Sequence, residues 1–247
     1  MQRAWPYPAL IAHRGAGKLA PENTLAAFKL GYAYGYRMFE CDVKLSADGV
    51  AFLLHDDTLD RTTKGTGAAA VQAWAALSAL DAGSWHSAAY AGEPLPTLEQ
   101  IADLVRAHGC HINLEIKPCP GREAETGRAV ANMAAQLWMG ADVAPLLSSF
   151  SEAALAAAQL AQPSLPRALL VNQIPADWQA TLERLGCVAI DANCQHLSAM
   201  QIANVKAAGY RLLTYTCNDP ARAQELLALG VDGVITDAID RIQLNER

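Results

Sequence analysis

The sequence predicts an α/β fold, a TIM (β/α)₈ barrel, formed by a single domain over residues 1–247. The first observation is length, because 247 residues match the typical size of such a barrel. The second is composition: 52% hydrophobic and 18% charged residues can supply a large core and lie outside the disordered range. The third is that short apolar segments alternate with amphipathic stretches, which is typical of parallel strands joined by crossover helices.

Eight strands and eight helices are predicted in alternation, and eight of each closes a barrel. Each predicted strand is a short apolar run, and each is followed by a longer segment with helical periodicity. The strands are predicted at 9–13, 38–43, 112–117, 145–150, 167–171, 188–191, 211–216 and 233–237. The helices are predicted at about 24–35, 97–108, 123–138, 151–161, 176–185, 198–208, 220–229 and 238–244.

One further apolar segment, VAFLLHD at 50–56, does not fit this alternation. It follows the second strand after the short turn SADG, whereas parallel neighbours need a crossover of about a dozen residues or more. We therefore predict an antiparallel hairpin that brings His55 back towards the end of the second strand. Residues 57–95, rich in Gly, Ala, Thr and Trp, are long for a plain loop and predict a lid-like insertion over the active-site end.

Carboxylates occur within the second and third predicted strands. Period-two alternation places Glu40 and Asp42 on one face, and Asn113, Glu115 and Lys117 share a face of the next strand. These side chains should point into the barrel near its C-terminal end, where the active sites of such barrels lie. Crowded carboxylates repel each other, and a hard divalent cation, Mg²⁺ or Ca²⁺, would resolve the repulsion.

The alternative reading of these carboxylates is a buried salt-bridge cluster in which Glu115 pairs with Lys44 or Lys117. We call Glu40, Asp42 and Glu115 the acidic triad and predict that it binds a metal ion.

Two histidines are predicted at the same rim of the barrel. His13 ends the first strand and His55 ends the hairpin return, so both project towards the acidic triad. Such a pair suits general acid/base catalysis better than two unrelated structural histidines would. The other histidines lie in predicted loops or on helix faces and carry no predicted role: His86, His108, His111 and His196.

Charge, hydropathy and cysteine spacing argue against nucleic acid, a membrane or structural zinc as partners of this chain. The net charge of −6 argues against nucleic acid or an anionic membrane, because both favour basic surfaces. No stretch approaches the roughly 20 apolar residues of a membrane span, and the N-terminal apolar run is too short for a signal peptide. The six cysteines are scattered without zinc-ligand spacing and predict reduced thiols. We therefore expect a cytoplasmic protein without stable membrane association.

Short motifs occur along the chain in a distinctive order: HRGAGKLAPENT, ECDVKLSADG, LLHDDTLDRTT, LEIKP, LLSSF, TYTCN and GVDGVITD. Together they resemble the glycerophosphodiester phosphodiesterase family, from about residue 5 to the C-terminus. The spacing and the short N-terminus are similar to the bacterial cytosolic branch of that family. Within PENT, Pro21 to Thr24 is also a helix-start signal, and the sequence leaves open whether capping is its whole role.

The resemblance implies a barrel of the PLC-like phosphodiesterase type and roles for individual residues. His13 and His55 would be the general acid/base pair, and the acidic triad would bind Mg²⁺ or Ca²⁺. Arg14 and Lys117 would contact the phosphate of a small glycerophosphodiester substrate. Tyr215 stands where family members often carry Trp, so its contact with substrate is left open.

The implied reaction is metal-dependent hydrolysis to sn-glycerol 3-phosphate and an alcohol, within lipid and glycerol metabolism. The glycerol 2-hydroxyl would attack first, and water would then open the cyclic phosphate. The resemblance favours His13 as base and His55 as acid in the first step, although the residues alone do not order them. The alternatives are a related barrel phosphodiesterase acting on lysophospholipids and a non-catalytic binding module. Headgroup preference, the choice between Mg²⁺ and Ca²⁺, and a homo-oligomeric state are left open.

Overall fold

The computed structural model describes residues 5–243 and shows a closed barrel of eight parallel strands with helices between them. The strands are β1 (Leu10–Ala12), β2 (Met38–Leu45), β3 (Ala51–Leu53), β4 (His111–Ile116), β5 (Leu146–Ser149), β6 (Arg167–Val171), β7 (Ala189–Asn193), β8 (Arg211–Tyr215) and β9 (Gly233–Thr236). The barrel closes because β1 pairs in parallel with both β2 and β9. The predicted TIM barrel is therefore confirmed, and β3 is the strand outside the parallel set.

The helices lie outside the strands: α1 (Leu25–Ala33), α2 (Trp74–Leu77), α3 (Leu98–Ala107), α4 (Glu123–Leu137), α5 (Glu152–Ala161), α6 (Trp178–Leu185), α7 (Ala199–Ala207) and α8 (Pro220–Ala228). Several begin at caps written in the sequence. Thr24 caps α1, and capping boxes start α3 at Thr97 with Gln100 and α7 at Ser198 with Gln201. Among residues 5–243, no helix combines the length and the apolar character that a bilayer crossing needs.

The predicted hairpin is confirmed. β3 runs antiparallel to β2, with Val43 opposite Leu53 and Leu45 opposite Ala51. The turn between them needs the left-handed backbone of Gly49, whose φ is +84°, and this conformation favours glycine. The backbone N–H of Leu54 then donates to the carbonyl of Asp42, so the chain leaves the hairpin directly beside the inward carboxylates.

Alternation along the strands separates two cores. On β2, Phe39, Cys41 and Val43 pack in the main core, where the strands meet the helices. Met38 lies on the other face and belongs to a smaller cluster that fills the barrel interior. The buried members of that cluster are Tyr7, Ile11, Met38, Leu146, Ala168, Ala189, Leu213 and Ile235. By period two, Glu40 and Asp42 share the inward face with Met38.

The insertion after β3 contains α2 and two short 3₁₀ turns, Ala69–Val71 and Ala88–Tyr90. It has a hydrophobic cluster of its own, formed with the hairpin: Phe52, Leu54, Leu59, Ala69, Leu77, Ala82 and Leu95. Its far end is fastened to the barrel, because Oε1 of Glu93 accepts a hydrogen bond of 2.9 Å from the backbone N–H of Ala26 in α1. The insertion is therefore a packed unit, and its function as a lid stays a prediction.

The predicted helix at 238–244 is wrong over the residues that the structure describes, and residue 244 lies outside them. Residues 238–243 form a single turn, in which the N–H groups of Arg241 and Ile242 donate to the carbonyl of Ala238. Ala238, Ile239 and Ile242 are buried. This spacing matches a helical period, but one turn is enough to bury all three, so the apolar pattern alone could not distinguish a turn from a helix.

Candidate active site

The acidic triad is brought together at the C-terminal end of neighbouring strands. Glu40 and Asp42 come from β2 and Glu115 from β4, and Asp42 is in register with Glu115. The three side chains are buried, and one carboxylate oxygen of each lies within 4.8 Å of the others. The inward alternation of the strands therefore concentrates three carboxylates in one small volume.

Burial and mutual repulsion act on these carboxylates in different ways. Burial raises the pKa of Glu40, and the charges of Asp42 and Glu115 raise it further. Burial and Asp42 likewise raise the pKa of Glu115 to about 7. Burial also opposes ionisation of Asp42, but Arg14 and Lys117 outweigh it and lower the pKa of Asp42 to about 2. The protein's own cations therefore neutralise the triad only in part.

These residues fit a hard divalent cation. All three donors are carboxylate oxygens, the ligand type that such cations prefer. The Oε1 atom of Glu40 is buried and has no hydrogen-bond partner among the described residues, which is costly unless another group engages it. A bound cation would both satisfy this atom and offset the repulsion within the triad.

The salt-bridge alternative is realised only in part. The Nζ atom of Lys117 lies 2.8 Å from Oε1 of Glu115 and 3.6 Å from Oδ1 of Asp42. Lys44 does not pair with Glu115; its ammonium donates to Oδ1 of Asp57 at 2.8 Å. One ammonium group cannot neutralise three carboxylates, so Lys117 leaves negative charge in the triad that a bound cation would offset.

His13 follows β1 and is held by the carboxylate of the residue that follows the last strand, β9. Its Nδ1 atom lies 2.6 Å from Oδ1 of Asp237, and its Nε2 atom lies 3.7 Å from Oε2 of Glu40. Asp237 is held in turn by Asn218, whose Nδ2 donates to Oδ2 at 2.9 Å. Gly17 allows the loop after β1 to pass close to the backbone of Asp237, because a Cβ there would lie 2.2 Å from the Cα of Asp237.

His55 has the same arrangement on the hairpin side. Its Nδ1 atom lies 2.6 Å from Oδ1 of the adjacent Asp56. Burial lowers the pKa of His55, although the charge of Asp42 opposes the effect. In both histidines a carboxylate contacts Nδ1, which favours the tautomer with the proton on Nδ1 and leaves Nε2 to exchange a proton.

Arg14 lies between the triad and the loop that follows β1. Its backbone takes a left-handed φ of +50°, and its N–H donates to Oε2 of Glu40 at 3.1 Å. Its guanidinium places Nε 3.1 Å from Oδ2 of Asp42 and donates from Nη1 to Glu22 at 2.8 Å. Arg14 and Lys117 therefore stand on two sides of Asp42, which puts two positive charges next to the acidic triad.

The sequence reasoning missed several residues of this site: Glu22, Asn23, Asp56, Arg61, Asn218 and Asp237. Asn23 shows why PENT is more than a helix start. Thr24 caps α1 as predicted, but Asn23, with a left-handed φ of +61°, donates from Nδ2 to Asp42 at 2.8 Å. Its Oδ1 also accepts from the backbone N–H of Asp42 at 3.1 Å. The motifs PENT, HDDTLDRTT and VITD contain five of the six missed residues, and the polar positions of these motifs were the available signal.

The remaining predicted residues fall into two groups. Tyr215 donates its hydroxyl to the carbonyl of Val171 at 3.0 Å, and its ring meets that of Phe150 edge-on, with centroids 5.7 Å apart. The background histidines bond elsewhere: His86 contacts the carbonyl of Lys18, and His108 contacts that of Leu104. His111 starts β4, at the opposite end of the strand from Glu115, and His196 lies in a 3₁₀ turn, Cys194–His196.

The fold and the site together define a class, a TIM barrel with two histidines and a buried acidic triad at the C-terminal end of its strands. The comparison with known families gives the particular one: residues 13–241 match the glycerophosphoryl diester phosphodiesterase family. The chain belongs to this family and is a phosphoric diester hydrolase.

The similarity to individual relatives extends over nearly the whole chain. A glycerophosphodiester phosphodiesterase of Caldanaerobacter subterraneus is 30% identical and covers 92% of this chain and 93% of its own length. A Bacillus subtilis enzyme of the same name is also 30% identical, over 93% and 83%. The structure of an Oleispira antarctica phosphodiesterase in complex with the product sn-glycerol 3-phosphate is 40% identical, with a TM-score of 0.92 and 96% coverage of both chains. The glycerophosphodiester phosphodiesterase from Agrobacterium tumefaciens is 28% identical, with a TM-score of 0.79 and coverage of 94% and 97%.

Proposed function

We propose that this protein hydrolyses glycerophosphodiesters to sn-glycerol 3-phosphate and an alcohol, with a divalent cation on the acidic triad and His13 and His55 as the acid/base pair. The observation that carries the proposal is that two histidines, each with a carboxylate on Nδ1, lie beside three buried carboxylates. The Oleispira antarctica phosphodiesterase, 40% identical to this chain, supports the choice of sn-glycerol 3-phosphate as product.

Phosphodiester hydrolysis has two difficulties: the negative charge of the phosphate repels the nucleophile, and the leaving alkoxide is basic. The residues of the chain would address both. A bound cation would neutralise phosphate charge and stabilise the charge that develops in the transition state. Arg14 and Lys117 would hold the phosphate oxygens beside it and so orient the diester. One histidine would remove a proton from the attacking hydroxyl, and the other would protonate the leaving oxygen.

We propose that the glycerol 2-hydroxyl is the first nucleophile. His13 takes its proton as the new P–O bond forms, and His55 gives a proton to the headgroup alcohol as the old P–O bond breaks. The resulting cyclic phosphate is opened by water, with the two histidines in reversed roles. The matched carboxylates on Nδ1 of both rings support this exchange of roles, because each imidazole can be stabilised in its protonated form.

The test of this function is turnover of glycerophosphocholine with and without chelator. We expect EDTA to abolish activity and Mg²⁺ or Ca²⁺ to restore it, since the oxygen-only ligand set suits either ion. Full turnover after exhaustive chelation would refute the metal assignment. A parallel assay with lysophosphatidylcholine separates this function from the lysophospholipid alternative, because only an enzyme for glycerophosphodiesters prefers the deacylated substrate.

We also propose a cytoplasmic enzyme in which one domain, with residues 57–95 covering the mouth of the barrel, acts on a small molecule. All six cysteines are free and buried, which suits a reducing compartment. The contact of Glu93 with α1 and the reach of Arg61 to Glu22 support the position given to the insertion. Sedimentation of the purified protein would decide whether it forms a homo-oligomer.

A further inference from the structure

Arg61 lies in the insertion, outside the barrel, yet it joins two parts of the candidate active site. Its guanidinium donates from Nε to Oδ2 of Asp56 at 2.7 Å and from Nη2 to Oδ1 of the same carboxylate at 3.0 Å. The same group donates to both oxygens of Glu22, at 2.7 and 2.9 Å. A planar guanidinium can make both of these two-pronged contacts at once, whereas an ammonium group cannot.

Each carboxylate that Arg61 holds also contacts a side chain to which the proposed function gives a role. Asp56 contacts Nδ1 of His55 at 2.6 Å, and Glu22 accepts from Nη1 of Arg14 at 2.8 Å. The contacts therefore run without a break from His55 through Asp56, Arg61 and Glu22 to Arg14. At one end is a proposed acid/base group, and at the other is a proposed phosphate ligand.

The surroundings show why these carboxylates need a cation between them. Hydrogen bonds from Arg61 are the largest influence that lowers the pKa of Asp56, so this carboxyl stays ionised and can accept from His55. Without the guanidinium, the negative charges of Asp56 and Glu22 would have no common partner and would repel each other. Because the side chain of Arg61 is 44% exposed, its ion pairs should contribute little to global stability.

We propose that Arg61 is a positioning residue, which fixes Asp56 against His55 and Glu22 against Arg14 and so lets the insertion set the geometry of acid/base and phosphate-binding groups together. The inference rests on the proposed function, because it takes the roles of His55 and Arg14 from there. Loss of the Asp56 contact should lower kcat, and loss of the Glu22 contact should raise KM for the diester.

The test uses Arg61→Ala and Arg61→Lys in the full-length enzyme. We expect Arg61→Ala to lower kcat/KM by about 10- to 100-fold, in both kcat and KM, because a displacement of about 1 Å in a catalytic group can cost about 10²-fold. Arg61→Lys should recover only part of the loss. Guanidinium chloride, added well below unfolding concentrations, should restore kcat of Arg61→Ala in part, since the site left behind opens to solvent.

Arg184→Ala is the matched control, because Arg184 forms an exposed ion pair with Glu152 away from the site, with an N–O distance of 2.6 Å. It should keep wild-type kcat and KM and show no gain with guanidinium. A crystal structure of Arg61→Ala should show Asp56 moved out of hydrogen-bond distance from His55. Wild-type kinetics for Arg61→Ala, or a loss that follows a lowered Tm without guanidinium rescue, would overturn the inference. Absence of wild-type turnover on any glycerophosphodiester would instead overturn the proposed function, and the crystal structure would still test the position of Asp56.

Discussion

His13 and Asp237 are 224 positions apart in the chain, yet the Nδ1 atom of one lies 2.6 Å from Oδ1 of the other. The contact exists because β1 pairs with β9, and this pairing places the residue after the first strand beside the residue after the last. The closure of the barrel is therefore also what supplies the carboxylate for this histidine.

Replacing this carboxylate by an amide should reduce catalysis without unfolding the protein. Asp237→Asn keeps the shape of the side chain but replaces the carboxylate beside Nδ1 of His13 with a neutral amide. A protonated His13 ring then loses the negative charge that stabilises it. We expect kcat to fall by about 10- to 100-fold, as for other supporting carboxylates of catalytic groups. Steady-state kinetics will measure this fall in kcat. Asp240→Asn is the control, since Asp240 is exposed and bonds no histidine. Wild-type kcat for Asp237→Asn would contradict the role.

Metal affinity can be measured without turnover. Glu115→Gln keeps the size of the side chain but removes one of the three proposed negative ligands, so we expect Mg²⁺ and Ca²⁺ to bind at least about 10-fold more weakly by titration calorimetry. Glu99→Gln on the surface of α3 is the control and should bind both ions as the wild type does. Equal affinities for the two variants would remove Glu115 from the metal site.

The two candidate histidines should differ from a third that lies away from the site. We expect His13→Ala and His55→Ala each to lower kcat by about 10²-fold or more, the usual contribution of an acid/base group. His196→Ala should be nearly neutral, because His196 is exposed in the 3₁₀ turn that follows β7. Comparable losses in all three variants, accompanied by lower melting temperatures, would mean that structural damage had been mistaken for chemistry.

The mechanism predicts a specific dependence on the glycerol 2-hydroxyl. An analogue without this group should still bind through its phosphate but should turn over very slowly, because an attached nucleophile has an effective molarity of about 10⁵ M or more. Glycerophosphocholine, glycerophosphoethanolamine and glycerophosphoglycerol should all be cleaved. If attack came directly from water, the 2-deoxy analogue would keep its kcat and change only KM. Steady-state kinetics on the analogue decides between the two mechanisms.

Asp191 on β7 predicts a pH effect on stability rather than on catalysis. Both of its carboxylate oxygens are buried without a hydrogen-bond partner among residues 5–243, and burial, followed by the charge of Glu115, raises its pKa. Well below a pH of about 3.9 the carboxyl is protonated in the folded and unfolded states alike, so its ionisation does not change the free energy of unfolding. As the pH rises, ionisation favours the unfolded chain until the raised folded pKa is passed, and stability is lost.

Asp191→Asn removes this ionisation while keeping the shape. In metal-free protein, its free energy of unfolding relative to wild type should therefore increase from pH 4 to pH 7. Urea denaturation at several pH values will measure the difference. A difference that is constant with pH would show that Asp191 is ionised in the folded state.

The parts of the fold and site that the sequence predicts are those governed by local patterns. Period-two alternation identified the shared face of Glu40 and Asp42, and the short turn before β3 required a hairpin. Strand ends were also predictable, since His13 directly follows an apolar run. These inferences need only the neighbouring residues.

What the sequence does not predict depends on contacts between distant segments. Asp237 becomes a partner of His13 only through barrel closure, and Arg61 contacts Glu22 only when the insertion folds back onto the loop after β1. Asn23 reaches Asp42 from a left-handed conformation that no periodic pattern reveals. The turn at 238–243 shows the opposite error, in which a local apolar spacing suggested more regular structure than the packing required.

The insertion also has a consequence for how molecules of this protein meet each other. A closed barrel exposes no strand edge, but β3 lies outside the closed set and could offer one. The chain covers it locally: the N–H of Leu53 donates to the carbonyl of Pro96 at 3.1 Å, and Phe52 forms a bridge with Thr97. Phe52 and Leu54 are buried in the hydrophobic cluster of the insertion. Because the cluster of the insertion covers these side chains, a variant with a shortened insertion should expose them beside the edge of β3 and should aggregate more readily than the wild type.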